Sequence, residues 1–157
     1  MKTLTLLRHA KTERDSPEGD FGRSLIERGR KDAGRMGEKI RELGLDFDLV
    51  LASPARRALE TVEQLGKLAP IFEPRIYNAS SSQLYDLIRS TDDGVGSLLM
   101  VGHNPGLEEL AAVLTAEGVD AFPTTSLAEI ELSVDRWSEV KAGSGRLRRF
   151  VTLKKLD

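Results

Sequence analysis

Thr3-Leu4-Thr5-Leu6-Leu7-Arg8-His9-Ala10 opens as an apolar run and breaks into two polar side chains. The run, with its interleaved threonines, predicts a buried strand. In an open α/β sheet, ligands gather in the crevice beyond the carboxyl ends of the strands. Arg8 and His9 are therefore expected at the mouth of a pocket. The one other histidine repeats the arrangement, because Ser97-Leu98-Leu99-Met100-Val101 runs into Gly102-His103-Asn104-Pro105-Gly106. A single histidine beyond a strand is usually a hydrogen-bonded loop residue. Two of two at equivalent places point to a shared site.

Composition narrows the field. A length of 157 residues suits one domain over 1–157, and 39% hydrophobic residues allow a sizeable core. A net charge of −2 gives no reason to expect nucleic acid as a partner. There is no cysteine, which excludes disulfides, thiolate catalysis and zinc–sulfur sites. The start, Met1-Lys2 and a short apolar run broken by Arg8 and His9, is neither a signal peptide nor a membrane span. No membrane association is expected, and a cytoplasmic location is the default.

Outward from the first strand, Lys11 to Arg23 reads as a polar loop able to fold over the sheet edge. Ser24 and Glu27 fit a capping box for a helix running to about Leu43, with Ala33, Met36, Ile40 and Leu43 as its apolar stripe. Gly29, Gly34 and Gly37 weaken that helix, so a close neighbour or packing must compensate. Gly44 is placed to end it. Phe47 to Ala52 predicts a second buried strand, and Ser53-Pro54 the start of a helix with Ala58, Val62, Leu65 and Ala69 inside. Arg75-Ile76-Tyr77 fits a brief strand, and Ser81 or Ser82 can cap a short helix through Leu84, Leu87 and Ile88. Gly106 to Ala116 reads as a helix. Ala128, Ile130, Leu132 and Val134 alternate with polar residues, predicting a half-exposed strand. Leu147 to Leu153 forms the last strand, with Trp137 to Val140 available to pair between them. The order predicts an α/β fold, a three-layer α/β/α sandwich whose mostly parallel sheet carries antiparallel edge strands. There is no internal repeat, low-complexity segment or linker.

Arg56 and Arg57 fall in the first turn of the second helix, where cations are disfavoured unless an anion joins them. Adjacent helical residues point about 100° apart, so only one of the two can face a pocket squarely. Arg8, His9, one of these arginines and His103 make a cationic cluster in a slightly acidic chain. Its natural occupant is a phosphate, gripped by guanidinium forks. A neutral imidazole in that setting can attack phosphorus, and flanking arginines should keep His9 neutral. Competing motifs fail: there is no Walker loop, no complete dinucleotide fingerprint and no G-x-S-x-G elbow. Two histidines without carboxylates at ligand spacing make a poor metal site, so none is expected. Trp137 reads as hairpin packing, and Lys154-Lys155 is too short for a nucleic-acid patch.

Leu7-Arg8-His9-Ala10 resembles the Arg-His-Gly signature of the histidine phosphatase superfamily, which includes the phosphoglycerate mutases. Ser53-Pro54-x-x-Arg57-Ala58-x-x-Thr61 is similar to its second motif and selects Arg57 over Arg56. Val101-Gly102-His103-Asn104-Pro105 looks like its third. The short length, Asp20-x-x-Arg23-x-Leu25 and Tyr77-Asn78-Ala79 resemble the small SixA-type phosphohistidine phosphatases. Ala10 departs from the signature glycine, and Ile26 stands where a hydroxyl residue commonly starts the helix, a cap that Ser24 can take over.

The resemblance implies a phosphoglycerate mutase-like fold and a phosphorylated His9. It implies phosphoryl oxygens held by Arg8, Arg57 and His103, further contacts from Arg23 and Asp20, and no cofactor or metal. The implied substrate is a phosphorylated protein such as a histidine phosphotransfer domain, with phosphate or sulfate able to occupy the site. Two alternatives stay open: a phosphatase of small phosphomonoesters, and a phosphoprotein-binding module without turnover. An ester would need a general acid, for which Glu73, Asp20 and Asp15 are unranked candidates. A monomer is expected, since no surplus apolar stripe or heptad is visible.

Overall fold

The structure, a computed structural model, describes residues 1–153. Its strands are β1 (Lys2–Arg8), β2 (Leu49–Ala52), β3 (Ile71–Phe72), β4 (Ser97–Gly102), β5 (Leu127–Leu132) and β6 (Gly145–Val151). Its helices are α1 (Glu27–Glu42), α2 (Arg56–Leu65), α3 (Ser81–Arg89) and α4 (Gly106–Thr115). The strands form one sheet in the order β3-β2-β4-β1-β5-β6. β3, β2, β4 and β1 run parallel, while β5 and β6 add antiparallel strands at one side.

Side-chain alternation on β1 builds two cores. Leu4 and Leu6 meet Leu84, Ile88, Leu107 and Leu110 from α3 and α4. Leu7 meets Met36, Ile40, Val62 and Leu65 from α1 and α2 on the other face. Helices thus cover both faces of a mostly parallel sheet, the three-layer sandwich that the sequence order implies. Among the described residues no helix is long and apolar enough to cross a membrane.

Several element starts differ from expectation, each for a tertiary reason. Ser24 does not cap α1. Leu25 bridges to Thr12, and the Leu25 amide donates to Glu60 at 2.7 Å, which keeps the chain extended until Ile26. Pro54 lies outside α2, because the Ser53 hydroxyl accepts the Ala55 amide at 3.2 Å and holds a turn there. Ser80, not Ser81 or Ser82, caps α3: its hydroxyl accepts the Gln83 amide at 3.1 Å and Gln83 answers at 2.8 Å. Arg75-Ile76-Tyr77 is not a strand. The Glu73 carboxylate accepts the Arg75 amide at 2.8 Å and winds Pro74–Ile76 into a 3-10 turn, leaving Ile71–Phe72 as the edge strand.

β5 is not half-exposed. It lies between β1 and β6, and even Glu129 is only 3% exposed, paired with Arg149 at 3.4 Å. Trp137 heads a 3-10 turn rather than a strand, fully buried, its indole N–H donating to the Val95 carbonyl at 2.7 Å. Lys154 and Lys155 lie outside the described residues. Two of the helical glycines do have close neighbours. A Cβ at Gly29 would strike the Lys11 carbonyl, and one at Gly37 the Leu65 carbonyl, whereas Gly34 faces open space. Gly44 takes the left-handed backbone expected after the helix, with φ +67°.

Candidate active site

β1 and β4 are neighbours with Arg8 opposite Gly102, so the residues that follow leave the sheet side by side. The His9 and His103 rings come to lie 5.3 Å apart between centroids, tilted by 54°. The His9 amide donates to the Gly102 carbonyl at 3.1 Å, and the Thr125 amide approaches both the Arg8 and His9 carbonyls. Little backbone freedom remains at the histidine.

The His9 ring is oriented by its own neighbour. Nδ1 lies 2.8 Å from the Ala10 carbonyl, which can only accept, so Nδ1 carries the proton and Nε2 keeps a lone pair. Burial pushes the His9 pKa down to about 3, with His103, Arg57 and Arg8 adding repulsion. The arginines therefore act in the expected direction, yet burial is the larger cause. His103 is pushed down to about 4 for the same first reason, followed by Arg57. Its Nε2 is 2.8 Å from the Ser53 hydroxyl, so the turn that displaces Pro54 from α2 also orients this ring.

Arg57 is buried at the start of α2, and Asp20 engages both of its terminal nitrogens. Nη1 donates to the Asp20 carbonyl at 2.8 Å and Nη2 to the carboxylate at 3.1 Å. Arg23 donates to the other Asp20 oxygen at 3.0 Å, and further to the Glu13 carbonyl and the Thr12 hydroxyl. The Tyr77 hydroxyl completes the set, donating to Asp20 at 2.6 Å. These partners, Tyr77 first, hold the Asp20 carboxyl far below the usual carboxylate range. Arg8 reaches from β1 to the Phe122 carbonyl at 3.1 Å.

All six side chains singled out in the sequence, Arg8, His9, Asp20, Arg23, Arg57 and His103, line one cavity of about 720 Å³. Arg56 lies outside it, exposed and paired with Glu60 at 3.1 Å, as its neighbour's inward turn requires. Of the acid candidates, Glu73 is drawn to Arg75 at 2.7 Å, and neither it nor Asp15 lines the cavity. Asp20 does, but as the ionised hub of the arginines. Glu109 lines it as well, an acid the sequence reading passed over. Its signal was available, because α4 begins three residues after His103 and turns Glu109 toward the same edge. Among the described residues no three His, Cys, Asp or Glu side chains converge as a metal-ligand set.

The arrangement offers a neutral imidazole with a free Nε2, a second neutral imidazole beside it, and guanidinium groups on two sides. Such groups can receive a tetrahedral oxyanion, and a neutral imidazole among them has the chemistry to attack it.

Known proteins resemble this chain in sequence and fold. The model of the histidine phosphatase superfamily, branch 1, matches residues 4–80. The uncharacterized protein Rv1276c of Mycobacterium tuberculosis is 34% identical over 155 residues, covering 92% of this chain and 98% of that one. The crystal structure of SixA from Agrobacterium tumefaciens shares 29% identity, covers 96% of this chain and 97% of its own, and superposes with a TM-score of 0.80. The protein histidine phosphatase SixA in complex with tungstate shares the fold, with 23% identity, 99% of each chain covered and a TM-score of 0.85. The family match and the likeness in fold over nearly the whole chain place it in the histidine phosphatase superfamily, as a phosphatase of the SixA type.

Proposed function

We propose that this phosphatase removes the phosphoryl group from a phosphorylated histidine on a protein, such as a histidine phosphotransfer domain, through a phosphohistidine on the enzyme. The carrying observation is the His9 ring, with Nδ1 committed to the Ala10 carbonyl and Nε2 left unprotonated among Arg8, Arg57 and His103. The Nε2 lone pair attacks phosphorus while the P–N bond to the substrate imidazole breaks. That imidazole leaves with the bonding pair and takes a proton from water. Arg8, Arg57 and His103 hold the equatorial oxygens, where charge must be stabilised. A water then attacks the enzyme phosphohistidine, its proton passes to solvent, Nε2 recovers its pair and inorganic phosphate departs. Arg23 and Asp20 brace the guanidinium of Arg57 within this frame.

An imidazole leaving group needs little acid help, and the best-placed acid candidate of the sequence, Asp20, is ionised and fully engaged. The SixA likeness supports the same substrate class. One observation favours a second reading, action on small phosphomonoesters: Glu109 lines the cavity and its carboxyl has no hydrogen-bond or ion-pair partner among the described residues, which leaves it free to approach the leaving-group oxygen of an ester.

The test is hydrolysis of a phosphohistidine protein and of p-nitrophenyl phosphate, wild type beside His9→Ala. Turnover of the first that vanishes with His9, and little of the second, supports the proposal. Equal or faster ester hydrolysis moves the substrate to small phosphomonoesters. Phosphoprotein binding that persists in His9→Ala, with no turnover in either form, makes the chain a binding module.

A further inference from the structure

Tyr77 follows the 3-10 turn at Pro74–Ile76, away from the segments that supply the arginines and histidines, yet its side chain reaches three of them. The hydroxyl meets Asp20 at 2.6 Å, and the ring stands edge-on to Phe21 at 5.0 Å and to His103 at 5.8 Å. The Arg57 guanidinium lies 5.9 Å from the ring centroid.

The hydrogen bonds around Arg57 show what this contact controls. Both terminal nitrogens of Arg57 donate to Asp20, and its Nε is buried without a partner. Among the described residues the hydrogen bonds of the guanidinium thus run to Asp20 alone. Asp20 itself sits on a three-residue 3-10 turn within the loop from Lys11 to Arg23. Arg23 belongs to that same loop and is held there by Glu13 and Thr12. Apart from Arg57 itself, Tyr77 is the group among the described residues that fastens the carboxylate from a different element. We propose that Tyr77 is a positioning residue for phosphoryl binding: by holding Asp20 it fixes the plane of Arg57 before the substrate arrives. This rests on the reading of the site as a phosphoryl pocket. A short phenol-to-carboxylate hydrogen bond suits the task, because it is charge-assisted and directional. The contact also explains why an exposed loop can take part in a site that needs fixed geometry.

The experiment is a double-mutant cycle on the intact chain, with wild type, Tyr77→Phe, Asp20→Ala and the double variant. The readouts are dissociation constants for inorganic phosphate, and kcat and KM on a phosphohistidine protein. Tyr77→Phe keeps the ring against Phe21 and His103, and a melting curve confirms that it folds. Loss of a hydrogen bond to a charged group predicts phosphate affinity and kcat/KM lower by about tenfold. Because Tyr77 acts through Asp20, the double variant should be no weaker than Asp20→Ala alone. Wild-type behaviour of Tyr77→Phe overturns the proposal. So do losses that multiply in the double variant, which would place Tyr77 directly on the ligand or in the scaffold only. If wild type binds phosphate but shows no His9-dependent turnover, the proposed function fails while the phosphate constants still decide on Tyr77. Absence of phosphate binding by the wild type overturns both.

Discussion

The Ala10 amide donates to the Thr61 hydroxyl at 2.9 Å, although 51 residues separate the two. Thr61 in turn donates to the Arg57 carbonyl one helical turn back, at 2.7 Å. One buried hydroxyl thus ties the backbone that presents His9 to the helix that presents Arg57. Thr61→Val keeps the shape and removes both bonds, leaving the Ala10 amide buried without a partner. The expected cost is about 1–3 kcal/mol of folding free energy, measured by urea denaturation, with kcat lowered more than the stability loss alone explains.

The two depressed imidazole pKa values set a direction for pH. The fold keeps His9 and His103 neutral, whereas in the unfolded chain they protonate near the ordinary value of 6.5. Below that pH the unfolded state binds more protons, so stability falls as pH drops from about 6.5 toward 4. Thermal melts from pH 7 to 4 should show a smaller loss in His9→Ala than in wild type. An equal slope in the two proteins would contradict the assignment of a neutral buried His9.

Activity follows the same groups. Because His9 remains unprotonated well below neutrality, kcat/KM should hold its value from pH 7 to 5 rather than decline with an imidazole of ordinary pKa. A stopped phosphate-release assay at constant ionic strength measures this profile. An acid limb centred near 6.5 would mean that the reactive ring is solvated in the working enzyme.

Gly29 is where α1 touches the site loop. Its missing Cβ admits the Lys11 carbonyl, which also accepts the Ile26 amide at 3.1 Å. Gly29→Ala gains helix propensity, yet drives a methyl into backbone that cannot yield without moving the loop that carries Asp20 and Arg23. We expect a net destabilisation of about 1–3 kcal/mol in chemical denaturation and a weaker hold on inorganic phosphate. Gly34→Ala, facing open space on the same helix, is the control and should be neutral or stabilising.

Glu109→Gln separates the two substrate classes. If the substrate is a phosphohistidine protein, the variant should retain turnover of it within about twofold, since imidazole leaves without a strong acid. A fall of about a hundredfold on an alkyl phosphate would give Glu109 the proton-donor role in ester hydrolysis.

The legible part of the molecule lay in short-range pattern. Apolar runs that stop at Arg8-His9 and at Gly102-His103 carry their own direction, because a buried strand can release polar side chains only at its ends. Arg57 was separable from Arg56 by the motif around it, and the structure turns Arg57 in and leaves Arg56 paired at the surface. What the pattern did not carry was competition between distant groups. Ser24 has good capping chemistry and loses to a bridge between Thr12 and Leu25. β5 alternates as an exposed strand does, yet it is covered because β6 lies beyond it and Arg149 neutralises Glu129. Tyr77 reaches the cavity by the path of a 3-10 turn, and no local spacing announces where such a turn will aim a side chain.

The sheet order carries one more implication. β4 lies between β1 and β2, so Arg8 and His9 share no strand border with the segment that leads to Arg57 until residues 97–102 have slid in between. A nascent chain of 80 residues would hold His9 and the arginines but not the wedge that brings them together. If the cavity holds phosphate as proposed, affinity for it is a reporter of completed assembly, and a truncated chain should be blind to the anion even though it already contains His9, Arg8 and Arg57.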